Sequence, residues 1–155
     1  MITAVDTNTL LDVLFPDAPH KAETSTKLET ASRSGLVVMA EPVYGELAAH
    51  FAEERDLFAF LAATGVILLS STPQTLQSAG LAWRRYTRAR TTSLQCAACG
   101  ALNAPQCTRC GTAIRSRQHI IADFLIGAHA LLQADVLLTR DRGYFRTYYP
   151  DLRVG

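Results

Sequence analysis

The sequence contains no run approaching the roughly 18 apolar residues that a membrane-spanning helix requires, which excludes the usual helical membrane classes. Met1 to Val5 meet Asp6 before a signal-peptide hydrophobic region can develop, so a cytoplasmic location is the expectation. There is no low-complexity segment and no internal repeat. With 48% hydrophobic and 19% charged residues the 155-residue chain reads as one ordinary globular domain with room for a small insertion. Cysteine is absent outside positions 96–110. Residues 57–122 lack acids and lysine altogether.

That last absence gives the net charge of +1 its meaning. Residues 1–56 carry ten acids against four bases, whereas residues 57–122 carry seven arginines: Arg84, Arg85, Arg88, Arg90, Arg109, Arg115 and Arg117. One acidic and one basic part share a nearly neutral molecule. Arginine donates in a planar fork that matches phosphate, so an all-arginine segment suits nucleic-acid contact.

Short apolar runs alternate with longer helical patterns. Strands are expected at Ile2–Val5, Leu36–Met39, Val66–Leu69 and Val136–Leu138, with a short fifth at Leu152–Val154. Helices are expected near Thr9–Phe15, His20–Ser34, Val43–Phe51, Glu53–Thr64, Gln74–Arg90 and His119–Gln133. This alternation implies a mostly parallel sheet of four or five strands covered on both faces, a three-layer α/β/α domain. In such folds ligands bind beyond the carboxyl ends of the strands.

Four acids fall at that edge. Asp6 follows the first strand, Glu46 lies early in the helix after the second, Asp123 lies early in the helix leading to the fourth, and Asp141 lies just beyond it. Each alone has an ordinary explanation as a helix cap or a solvated side chain. Together they form a set of like charges that repel unless a cation joins them. Mg2+ and Mn2+ prefer such hard oxygen ligands and can activate water against a phosphodiester. A general-base histidine is then unnecessary, and His20, His50, His119 and His129 are expected at the surface or in packing roles.

The runs Val5-Asp6-Thr7-Asn8-Thr9-Leu10-Leu11-Asp12, Pro42-Val43-Tyr44-Gly45-Glu46-Leu47, Ile121-Ala122-Asp123-Phe124-Leu125-Ile126-Gly127-Ala128-His129-Ala130 and Leu138-Thr139-Arg140-Asp141-Arg142-Gly143-Tyr144-Phe145 resemble, in this order, the PIN-domain family. The best match is to VapC-type toxins of toxin–antitoxin pairs. The resemblance implies a Mg2+- or Mn2+-dependent endoribonuclease acting on RNA, with Asp6, Glu46, Asp123 and Asp141 binding metal and Asn8 and Thr139 supporting the site. It also implies a homodimer and a small antitoxin partner whose C-terminal segment plugs the cleft. Asp12 lies too far along its helix for the metal shell, and Glu41 is the nearest rival to Glu46. A PIN nuclease of RNA processing or ribosomal RNA maturation is the alternative within nuclease chemistry. A non-catalytic RNA-binding module with a zinc ribbon is the alternative outside it.

The cysteines Cys96, Cys99, Cys107 and Cys110 are spaced C-x2-C-x7-C-x2-C, with Gly100 and Gly111 closing each pair. Four thiolates at this spacing select Zn2+, with iron as the lesser alternative, in a closed, structural shell. A disulfide is disfavoured in a reducing compartment, and neither pair opens a helix as a redox C-x-x-C does. Residues 94–114 are therefore expected to form a zinc ribbon inserted in the 1–155 domain, folded by its metal. Flanked by Arg109, Arg115 and Arg117, it either walls an RNA cleft or faces outward as a staple.

Overall fold

The computed structural model describes residues 1–89, 93–112 and 119–155. Arg90, Arg115 and Arg117, and residues 113–114 of the expected ribbon, lie outside the described residues. The first strand, β1 (Ile2–Val5), leads through α1 (Thr7–Leu14) and α2 (Lys21–Ser34) to β2 (Leu36–Met39). Helices α3 (Glu41–Ala48) and α4 (Glu54–Thr64) then connect to β3 (Val66–Leu68). A long helix, α5 (Pro73–Ala89), precedes the cysteine segment, which holds the short strands β4 (Leu94–Gln95) and β5 (Leu102–Asn103). The chain ends with α6 (Ile121–Gln133), β6 (Val136–Leu138) and α7 (Arg142–Tyr148).

The main sheet has the order β3-β2-β1-β6, and every pairing is parallel. Its strands are largely apolar because helices cover both faces: Val5, Val37, Val38, Met39 and Leu137 are all buried. The connections β1→β2→β3 step one way along the sheet, and β3→β6 steps back across it. Right-handed crossovers then place the two groups of helices on opposite faces. Helices α5 and α6 pack on each other, and α6 covers β1 and β6. The direction of winding reverses between β1 and β6, so a crevice opens beyond the carboxyl ends of those two strands.

The fifth strand expected at Leu152–Val154 reduces to one parallel bridge, Leu137 to Val154. A three-residue β6 turns only Leu137 outward, and both of its backbone groups are used: its N–H donates to Arg153 O and its carbonyl accepts from Gly155 N, each at 2.9 Å. Nothing further remains to extend the ladder. Among the described residues no helix is long and apolar enough to cross a membrane.

Candidate active site

Asp6 and Asp141 are positioned by the strand ends themselves. The Asp6 N–H continues the β1–β6 ladder by donating to Leu138 O at 3.0 Å, and its side chain caps α1 by accepting from Thr7 N at 2.7 Å. The other carboxylate oxygen accepts from Asn8 Nδ2 and from Thr139 Oγ1, both at 2.6 Å. Thr139 Oγ1 also accepts from the Asp141 N–H at 3.0 Å, and Asn8 Oδ1 accepts from Arg140 N at 3.2 Å. Asn8 and Thr139 thus bind the turn after β1 to the turn after β6. Asp141 caps α7, accepting from Tyr144 N at 3.1 Å.

The other two acids come from α3 and α6 and act on this pair through their charge. Glu46, exposed on α3, accepts a hydrogen bond from the Thr7 hydroxyl. Asp123, in the first turn of α6, accepts from Ile120 N at 2.7 Å, which is half of a capping box because isoleucine offers no acceptor in return. Burial pushes the Asp6 carboxyl up to about 6, and the charges of Glu46 and Asp141 add to the rise against the hydrogen bonds from Thr139 and Thr7. Burial likewise raises Asp123, with Glu46 and Asp141 contributing. Asp141 is raised by burial alone.

Each bland role is therefore filled, since Asp6 and Asp141 are caps, yet the acids also share one electrostatic neighbourhood. The donor set fits a hard divalent cation: Asp123 Oδ1 and Asp141 Oδ2 have no hydrogen-bond partner among the described residues. As placed, no three His, Cys, Asp or Glu side chains among the described residues are gathered closely enough to hold one ion. Like charges with nothing between them stand apart.

The rivals have other partners. Glu41 binds Ser71 in the loop after β3, through Ser71 N at 2.8 Å and Ser71 Oγ at 2.6 Å. Asp12, buried, accepts from Thr24 Oγ1 at 3.1 Å and pairs with Arg140 Nε at 3.2 Å. His20 and His50 are exposed, and His129 is buried with Nε2 2.8 Å from Leu69 O. His119 is buried against Tyr144, ring centroids 4.1 Å apart, and burial lowers its pKa to about 4. Its Nδ1 lies 3.8 Å from Asp123 Oδ2. Sequence reasoning missed this neighbour of Asp123, and it missed the Thr7 hydroxyl. A hydroxyl adjoining the first acid was the local signal for Thr7, and the i,i+4 spacing to Asp123 was the one for His119.

The cysteine segment consists of two similar turns. Gly100 N donates to Cys96 O and Gly111 N to Cys107 O, both at 2.8 Å. Both glycines adopt positive φ, +80° and +71°, which an L side chain rarely tolerates. In the first turn the backbone N–H groups of Cys99 and Ala98, then the Cys99 thiol, draw the Cys96 thiol pKa down. In the second the Thr112 hydroxyl and N–H, then the Cys107 thiol, lower Cys110. Strands β4 and β5 frame the first turn as a small antiparallel ribbon separate from the main sheet.

That first turn is docked on α7. Gly143 N donates to Ala97 O at 2.7 Å, and Gln95 Nε2 donates to Thr147 Oγ1 at 2.6 Å. A Cβ at Gly143 would stand 2.5 Å from both Cys96 O and Gly100 N, so only glycine admits the contact. The insertion therefore touches the helix that Asp141 caps. Arg109 is exposed on the second turn.

No protein-family model and no curated protein matches the sequence. Solved structures do match it, among them two along its whole length. One is a chain in the crystal structure of VapBC2 from Rickettsia felis bound to a DNA fragment from their promoter, with TM-score 0.63 and 13% identity over 98% of that chain. The other is a chain in the structure of VapBC-1 from nontypeable Haemophilus influenzae, with TM-score 0.60 and 20% identity over 97% of that chain. At these identities the likeness is one of fold: the chain has the PIN-like α/β fold, a parallel four-stranded sheet flanked by helices.

Proposed function

We propose that this protein is a metal-dependent endoribonuclease of the VapC toxin type, with Asp6, Glu46, Asp123 and Asp141 as its metal-binding acids. The observation that carries the reading is the web at the β1–β6 crevice, where Thr139 holds both Asp6 and Asp141, and where the charges of Glu46 and Asp141 add to the raised pKa of Asp6 and of Asp123. A purely structural cluster has no reason to accumulate that repulsion. A bound Mg2+ or Mn2+ would neutralise it, supply activated water and stabilise the charge developing on the phosphodiester. Asn8 and Thr139 orient Asp6, and Thr7 orients Glu46, so neither acid must reorganise when the substrate arrives.

By the same reading the partners are RNA and a small antitoxin, in keeping with the VapBC structures that the fold matches, and the chain is a homodimer. The four cysteines would hold one structural Zn2+. The Cys99 and Ala98 amides around Cys96, and the Thr112 hydroxyl and N–H around Cys110, draw one thiol of each turn down, which suits thiolate ligation.

The nuclease reading is tested by incubating purified protein with a mixed RNA pool. Internal cleavage is expected with Mn2+ and none with EDTA. Absence of cleavage in both, or equal cleavage by the Asp123→Asn variant, defeats the reading.

A further inference from the structure

A cleft of about 380 Å3 opens beside the acidic crevice, between α2, the turn after β6 and the first cysteine turn. It shares residues with the crevice: Thr139, bonded to Asp6, lines it together with Thr9, whose hydroxyl donates to Leu138 O at 2.9 Å. Its volume lies within the roughly 300–1,000 Å3 span of small-ligand sites. We propose that this cleft seats the RNA nucleotide adjoining the bond that is cut, with the first cysteine turn as one wall. The proposal rests on the ribonuclease reading and assigns the neighbouring subsite.

The lining chemistry favours a phosphodiester. Lys27, Arg140 and Arg142 face the cleft with Glu23 as the opposing acid. Arg140 is held by buried Asp12, so its guanidinium is fixed in direction but largely neutralised. Lys27 pairs with Glu23 at 2.9 Å, an exposed i,i+4 contact that a phosphate can outcompete. Among the described residues Arg142 makes one hydrogen bond, at 3.5 Å to Gly155 O, and feels the charge of Glu23 across the cleft, which leaves most of its donors for a bidentate phosphate contact. Opposite these cations, Ala97 and Ala98 present small apolar surface on which a ribose or base can lie.

The wall is not loose. Ala97 is tied to α7 through Gly143 N, and Gln95 is tied to Thr147. This geometry separates the two roles left open for the insertion. Its first turn borders the substrate path, and its second turn, with Arg109, stands outside the cleft lining.

The test uses the intact protein carrying Asp6→Asn to prevent cleavage, with a fluorescein-labelled single-stranded oligoribonucleotide read by anisotropy. Adding Arg142→Ala is expected to weaken binding by about tenfold, the scale of one charge-assisted contact. Ala98→Trp, which fills the cleft from an exposed position, is expected to weaken it at least as much. Arg33→Ala, beside the opposite ends of β2 and β3, is expected to leave affinity unchanged. Circular dichroism verifies that each variant is folded, and Lys27→Ala provides a second cation should Arg142→Ala be unfolded. The corresponding variants with Asp6 intact are expected to lose cleavage efficiency in the same proportion. Wild-type protein that cleaves RNA while Arg142→Ala and Ala98→Trp retain both affinity and efficiency overturns the subsite and spares the ribonuclease reading. Wild-type protein that neither cleaves nor binds RNA overturns both.

Discussion

The Asp6→Asn variant is expected to lose RNA cleavage by on the order of 10³-fold, the scale on which one group placed at the reacting atoms acts. In metal-free buffer at neutral pH it is nevertheless expected to be the more stable protein. Asp6 is raised from 3.8 to about 6 chiefly by burial, so the folded state binds its proton more tightly than the unfolded chain does. Stability from this group is full below pH 4 and is lost as pH rises through about 6, a loss of about 3 kcal/mol at most. Asparagine carries no such loss. It does set an amide donor against Asn8 Nδ2 and Thr139 Oγ1, which now both donate to one Asp6 oxygen at 2.6 Å, and forfeiting those bonds costs about 1–2 kcal/mol. The balance favours the variant by about 1–2 kcal/mol, or roughly 3–6 °C in Tm for a chain of this size. Thermal unfolding in EDTA at pH 7.5 and 4.5 checks the sign, since the gain should vanish at the lower pH, where the native carboxyl is protonated. Mn2+ should then raise the Tm of the wild type and not of the variant, because only a folded site with its charge gains by ligation. A variant less stable than wild type at pH 7.5 would mean that Asp6 serves mainly as the cap of α1.

Much of this was legible because β1 and β6 are short, largely apolar and followed at once by polar residues. Ile2–Val5 and Val136–Leu138 need helices on both faces, and the alternation that supplies those helices also aligns Asp6 and Asp141 at adjacent strand ends. The choice of Glu46 over Glu41 came from motif spacing; in the structure Glu41 is bonded to Ser71 and Glu46 to Thr7. What escaped was long-range. Nothing near Asp12 in sequence announces Arg140, and nothing near Asp123 announces that His119 stacks on Tyr144 from α7. The fifth strand failed for a local reason of a different kind: apolar residues at Leu152 and Val154 satisfy the pattern, but β6 is too short to pair with more than one of them. Gly143 appeared as an ordinary member of the last motif, and only the approach of the cysteine turn shows why a side chain cannot stand there.

That glycine allows the metal and the docking of the insertion to be tested apart. Wild-type protein purified without chelator is expected to carry about one zinc per chain by elemental analysis, and a Cys96→Ser, Cys107→Ser variant close to none. Strands β4 and β5 have two residues each, and Leu102 between the turns is 67% exposed, so no apolar core holds this segment once the metal is gone. The α/β core has its own buried cluster and few bonds to the insertion, so chelation should leave its far-UV spectrum and cooperative unfolding nearly intact. Cleavage, in contrast, should fall about tenfold, as it does when the cleft loses a charge-assisted contact. Gly143→Ala makes the complementary change. The new Cβ meets two backbone atoms at 2.5 Å, neither of which can rotate away, so the first cysteine turn must leave α7 while its thiols remain free to bind metal. Zinc retained with cleavage reduced is the expected result. Full cleavage by Gly143→Ala would reduce the docked turn to a staple, and four freely reactive thiols in the wild-type protein would remove the zinc itself.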